Sequence, residues 1–300
     1  MVKKFLKIIT INIFLIIFLF IGFEIYFYKK DTDFLKKNFL SNQSYHSFKK
    51  EPFENKFKYF YKEVMRKPVG LNYKKKPILF LGCSYAYGEH LNDEETISYK
   101  VSEKTKRPVY NWSCMAGGIQ HVYYVIDKMP KITPEPEYIF YLYFSDHLRR
   151  MYTNVYKVDC YENLQYRLKD GKLEKKDNRY NIFDNSYFLS NIKDYILLNY
   201  YKNTKNSHNL FIVYATHLKN RIKELYPKTK FIIVVYDEMP YRLFQELKNN
   251  GIEVIYIYKC TDINLEDEKY KLPKEKDFNQ HPNGLTWDVV SDIIVNEYNL

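Results

Sequence analysis

From Lys76 onward the chain alternates short apolar runs with stretches of helical periodicity. The runs are Pro77–Leu81, Pro108–Trp112, Tyr138–Phe144, Phe231–Tyr236 and Ile252–Tyr258, each too short for a core helix and rich in β-forming residues. Strands separated by helices in this way predict an α/β domain built on a doubly wound, five-stranded parallel sheet. The last helix is legible as well: Asn283 caps it, and Leu285, Val289, Val290, Ile293 and Ile294 form one apolar face. Between the third and fourth strands lies an insertion, roughly residues 149–227. Within it Leu164–Leu168 and Leu173 flank Asp170-Gly171, a hairpin signal, and helical stretches follow near Leu189–Tyr201 and Phe211–Tyr226. No internal repeat is present.

A different pattern marks the N-terminus. Phe5 to Tyr28 is apolar all round, with Lys7 near one end and Glu24 near the other as its only charges. A bilayer crossing needs about 20 such residues. A cleaved signal peptide or a buried core helix are the alternatives, but no small-residue cleavage site follows, and a surface helix would keep a polar face. The expected organisation is therefore a transmembrane anchor (1–30), a charged juxtamembrane linker or helix (31–75) and an α/β domain (76–300) carrying the insertion. Lysines flank the apolar segment on both sides. Because short basic N-termini are seldom translocated, a single-pass membrane protein with its domain outside the cytoplasm is expected.

Composition narrows the classes further. The 47 Lys+Arg against 36 Asp+Glu give a formal charge of +11, but the lysines are scattered, and no zinc-finger spacing, RNA-binding aromatic signature or basic zipper accompanies them. Nucleic acid is thus not an expected partner. The four cysteines, Cys83, Cys114, Cys160 and Cys260, lack the two-residue spacing of a metal knuckle or redox pair and read as isolated thiols, although a bridge between Cys83 and Cys114 is conceivable. The 32 Tyr and 21 Phe carry no functional message.

In an open parallel sheet, ligands bind beyond the carboxyl ends of the strands. The first strand ends in Gly82-Cys83-Ser84-Tyr85-Ala86-Tyr87-Gly88, where a serine at the strand-to-helix turn exposes its hydroxyl and aims its own N–H into the site. Asn111-Trp112-Ser113-Cys114-Met115-Ala116-Gly117-Gly118 follows the second strand; its small residues leave backbone N–H groups accessible to an oxyanion, or simply make a tight turn. After the third strand, Ser145, Asp146 and His147 bring a hydroxyl, a carboxylate and an imidazole to one edge, unless they form a solvated loop or helix cap. Asp277-Phe278-Asn279-Gln280-His281-Pro282-Asn283-Gly284 leads into the last helix, in a loop able to return to the first strand. There His281 can meet Ser84, although a bland surface histidine has the same spelling.

The segment GCSYAYGEHLNDEET resembles the nucleophile block of the SGNH/GDSL hydrolases, and NWSCMAGG, YFSDHLRR and DFNQHPNG resemble their second, third and last blocks in the same order. This resemblance spans roughly residues 76–300 apart from the insertion, and its first and last blocks are the specific ones. It implies a flavodoxin-like SGNH fold with Ser84 as nucleophile, His281 as base and Asp277 as orienting acid. The oxyanion hole would be formed by Ser84, Ala116, Gly117 and Ser145, with Asn111, Asp146 and His147 lining the site. Two departures stand out. Ser145 occupies the place of the family's oxyanion asparagine, and Asp277 stands four residues before His281 where the family has three. No metal or cofactor is needed by such chemistry. The implied activity is ester hydrolysis, most directly of O-acetyl groups on an envelope glycan or of a lipid ester. An O-acetyltransferase and a non-catalytic glycan-binding or assembly module are the alternatives; the sequence leaves the oligomeric state open.

Overall fold

The computed structural model describes residues 12–26, 29, 65–114, 117–151, 166–169, 172–175, 189, 192, 205–277 and 280–300. Its centre is the parallel sheet. Strand β1 (Ile78–Leu81) leads through the short helix α1 (Ser84–Tyr87) and helix α2 (Ile97–Thr105) to β2 (Val109–Asn111). Helix α3 (Ile119–Lys128) then precedes β3 (Tyr138–Tyr143) and the short helix α4 (His147–Arg150). A two-stranded antiparallel hairpin, β4 (Tyr166–Lys169) and β5 (Lys172–Lys175), belongs to the insertion. Helix α5 (Lys205–Leu225), β6 (Lys230–Val235), α6 (Tyr241–Asn249), β7 (Glu253–Tyr256) and α7 (Gly284–Tyr298) complete the domain.

The order across the sheet is β2-β1-β3-β6-β7, every pairing parallel. This is the five-stranded α/β sheet expected from the pattern of apolar runs. Every residue of β1 and β3 is buried, because helices cover both faces. Alternate side chains serve the two faces: Leu79, Leu81, Ile139, Tyr141 and Tyr143 pack under α3, α5 and α6, whereas Ile78, Phe80, Tyr138, Phe140 and Leu142 pack under α2 and α7.

The last strand is shorter than expected. Tyr256 pairs with Val235, the end of β6, and with no neighbour beyond it the chain turns into a 3-10 turn at Ile257–Lys259. The final helix is capped by Asn283, whose side chain accepts from Leu285 and Thr286 N–H. Its buried stripe differs from the expected one. Leu285, in the first turn, is 56% exposed, and Trp287, fully buried, takes the inner position with Val290, Ile293 and Ile294. The hairpin falls where Asp170-Gly171 placed it, those two residues lying outside the described ones, as does nearly all of the expected helix at Leu189–Tyr201. The helix expected at Phe211–Tyr226 begins earlier, at Lys205, and buries Phe211, Tyr214, Ala215, Leu218 and Ile222 along one side.

Part of the segment assigned to the linker packs on the domain: Met65 is buried, and Val69 pairs with Val109. Of the predicted anchor, residues 12–26 are described and are helical, with Phe14, Ile16, Phe18 and Ile25 exposed. Among the described residues no helix is long and apolar enough to cross a membrane. Cys83 and Cys114 are buried and form no disulfide, Cys260 is exposed and also outside any disulfide, and Cys160 lies outside the described residues.

Candidate active site

Ser84 is the first residue of α1, directly beyond β1, so its N–H has no intrahelical partner to satisfy. The loop before α7 returns to this edge of the sheet and brings His281 to it. His281 Nε2 lies 2.8 Å from Ser84 Oγ, and His281 Nδ1 lies 2.6 Å from Asp277 Oδ2. All three residues are buried. Asp277 also accepts the backbone N–H of His281, so one carboxylate oxygen fixes both ring and main chain. The four-residue spacing closes through a turn in which Gln280 N–H donates to the Asp277 carbonyl and Gln280 adopts a left-handed φ of 50°. Burial lowers the pKa of His281 below the ordinary histidine value, and Asp277 partly offsets this. The imidazole is thereby kept neutral, as a proton acceptor must be.

Two neighbours of this array were not singled out by sequence reasoning. Glu89 Oε2 is 3.3 Å from His281 Nε2, and His90 Nε2 is 4.0 Å from Asp277 Oδ1. Their position follows from the end of α1: Gly88 sits at φ 80°, and the N–H of Glu89 reaches back to the Ser84 carbonyl, folding Glu89 over the serine. Only the glycine-terminated turn signalled this in the sequence. Burial and the charge of Asp277 push the Glu89 carboxyl up to about 7. Arg66, from the segment before the sheet, holds the same loop by donating to the carbonyls of Tyr87, Gly88 and Leu91.

The expected oxyanion donors fare differently. Gly117 N–H donates to the Cys114 carbonyl at 3.0 Å, so it closes a turn instead of facing Ser84; Ala116 lies outside the described residues. Ser145 N–H donates to Asp237 at 2.8 Å and its hydroxyl bonds to the same carboxyl, whose pKa burial raises to about 6. Among the described residues the Ser84 N–H is thus the candidate donor that remains.

The three expected lining residues each bond to neighbours within the fold. Asn111 donates to the Ala86 carbonyl and accepts from Ser113 N–H, tying the turn after β2 to α1. Asp146 is clasped by Arg149 and Arg150; burial opposes ionisation, but these guanidinium groups win and hold its carboxyl well below the usual range. His147 is fully buried, its Nδ1 2.6 Å from the Tyr141 hydroxyl, and burial depresses its pKa.

Beside the array, a cleft of about 830 Å³ opens beyond the carboxyl ends of β3, β6 and β7, with Ser145, Asp237, Met239, Tyr256, Tyr258 and Glu266 in its walls. The Tyr85 ring touches Phe144, Tyr236 and His281 at centroid distances of 4.6, 5.3 and 5.0 Å, linking that edge to the base. Among the described residues no group of three His, Cys, Asp or Glu side chains is arranged to hold a metal ion.

No protein-family model and no curated protein matches the chain. Solved structures do. A protein described as lipolytic and of the G-D-S-L family from Desulfitobacterium hafniense DCB-2 has 10% identity and a TM-score of 0.41, over 74% of this chain and 99% of its own. An acetyl xylan esterase from the rumen bacterium Butyrivibrio proteoclasticus has 10% identity and a TM-score of 0.45, over 75% of this chain and 64% of its own. A family 3 carbohydrate esterase from Clostridium thermocellum has 10% identity and a TM-score of 0.40, over 74% and 94%. The structures to which this chain is similar are GDSL-like lipases and carbohydrate esterases, at low sequence identity.

Proposed function

We propose that the chain is a serine hydrolase of carboxylic esters working through an acyl-enzyme on Ser84. One observation carries the reading: a buried serine, histidine and aspartate in hydrogen-bonded series, Oγ to Nε2 at 2.8 Å and Nδ1 to Oδ2 at 2.6 Å. In the mechanism His281 Nε2 takes the proton of Ser84 as Oγ bonds to the ester carbonyl carbon. The Ser84 N–H faces the oxyanion. The tetrahedral adduct collapses, the bond to the alcohol oxygen breaks, and the proton on Nε2 passes to that oxygen. Water then repeats the sequence on the acyl-enzyme, releasing the acid and restoring Ser84. Asp277 stays ionised throughout, fixing the ring tautomer and stabilising the imidazolium. An O-acyl group on an envelope glycan or a lipid is the proposed substrate class, and a segment at residues 5–28 the proposed anchor, supported by the exposed apolar side chains of residues 12–26.

The engagement of the Gly117 and Ser145 N–H groups inside the fold favours a second reading, a non-catalytic binding module on the same scaffold. A fluorophosphonate probe separates the two, since it labels only an activated serine. Covalent labelling of the parent that disappears in both Ser84→Ala and His281→Ala, with unchanged thermal unfolding, is the expected result. Labelling that persists in Ser84→Ala, or no labelling of the parent, sinks the hydrolase.

A further inference from the structure

The base nitrogen of His281 has two polar partners among the described residues. One is Ser84 Oγ at 2.8 Å, and the other is the Glu89 carboxyl at 3.3 Å. In ester cleavage, the alcohol oxygen that receives the proton from Nε2 must lie beside that nitrogen, on a side the serine leaves open. Glu89 already occupies that neighbourhood. The backbone holds it there: its N–H is bonded to the Ser84 carbonyl, Gly88 supplies the left-handed turn, and the next residue, His90, is itself kept at a φ of 63°. A non-glycine residue in this conformation is strained, and such strain gathers at functional sites. The side chain of Glu89 is 17% exposed, enough to meet a bound molecule.

We infer that Glu89 is a specificity-determining residue, accepting a hydrogen bond from a hydroxyl adjacent to the ester oxygen, so that the preferred substrates are monoacyl esters of vicinal diols, as in sugar rings. This rests on the serine-hydrolase reading and narrows its alcohol. A hydroxyl suits the site better than an ammonium ion. A carboxyl whose ionisation is delayed to about 7 by burial is half neutral at that pH, which disfavours pairing with a cation but still permits hydrogen bonding to a neutral donor. The groups that bear on its charge are Asp277 and His281 from the loop before α7, His90 and Tyr87 along its own turn, and Arg150 from α4.

The test compares ethylene glycol monoacetate with ethyl acetate, each kcat/KM being divided by the rate of that ester's hydroxide hydrolysis. Hydrolysis is counted only where Ser84→Ala abolishes it. The parent is expected to favour the glycol ester by about tenfold at pH 8, the scale of one oriented hydrogen bond to a charged acceptor. This preference should decline from pH 8 to pH 6 as Glu89 takes up a proton. The titration of His281 affects both esters equally and cancels in the ratio. Glu89→Leu should bring the ratio close to one, and Glu89→Gln should make it independent of pH. The glutamine variant keeps the test decisive if the leucine variant does not fold. Ser84-dependent hydrolysis with no preference in the parent, or a preference and pH profile that survive in Glu89→Gln, overturns the role of Glu89 alone. Absence of Ser84-dependent hydrolysis of both esters overturns the hydrolase and this inference together.

Discussion

Asp277 and Glu89 are two carboxyl groups on either side of one imidazole, and their surroundings give them different work. Asp277 bonds to Nδ1 and to the backbone N–H of the same histidine, so its charge is matched by two donors. Asp277→Asn keeps the shape but offers an amide that cannot stabilise the imidazolium; its turnover should fall about a hundredfold or more, read as kcat on a short-chain p-nitrophenyl ester. Parent-like activity would mean that the acid is dispensable. Glu89 is a buried carboxyl forced toward neutrality. Its folded pKa of about 7 exceeds the ordinary 4.5, so the native state binds the proton more tightly, and stability is lost as pH rises through that window. Glu89→Gln escapes this cost. It should be no more stable than the parent near pH 4.5 and more stable above pH 7, by up to about 3 kcal/mol in urea unfolding. A gain that does not vary with pH would contradict it. Sequence reading reached Ser84, His281 and Asp277 because each follows or precedes a recognisable element. It missed Glu89, whose only local signal is the glycine-terminated turn, and Arg66, which has none; their roles come from that turn and from a segment distant in sequence.

At the scale of elements, the site depends on how α1 ends. Arg66 donates to three carbonyls of this loop and pairs with Asp93 at 2.5 Å, with its side chain only 17% exposed. Truncation to alanine leaves those carbonyls without their cationic donor. Arg66→Ala should lower stability by about 2 kcal/mol in urea unfolding and reduce kcat by displacing Glu89 and His90, whereas parent-like values of both would show that the loop holds itself. The turns after β2 and β3 show the opposite case. There the sequence pointed to open backbone donors after β2 and to the Ser145 hydroxyl after β3, but Gly117 N–H is taken up by the Cys114 carbonyl, and both the N–H and the hydroxyl of Ser145 by Asp237. Small residues in a turn permit close approach of a ligand, and equally permit the chain to satisfy itself. Residue spelling cannot distinguish these outcomes, because the partner Asp237 comes from the end of another strand, 92 residues away.

Across the whole molecule, the described domain closes its core without residues 12–26: its two apolar clusters begin at Met65 and at Ile78. Removal of residues 1–30 should therefore leave a folded domain that stays in solution and keeps its Ser84-dependent activity, checked by circular dichroism and p-nitrophenyl ester hydrolysis. An unfolded truncation, or full-length protein that washes off membranes in high salt, would refute the anchor. The sequence by itself determined the sheet, since buried parallel strands must be written as short runs of β-forming apolar residues, and it located the serine and the histidine at the ends of elements where that sheet exposes its carboxyl edge. Tertiary structure alone decided the rest. Whether an N–H, carboxylate or imidazole is free to act depends on which groups from other elements reach it first, and it was folding that spent Asn111, Asp146, His147 and Gly117 on the scaffold while setting Glu89 against the base.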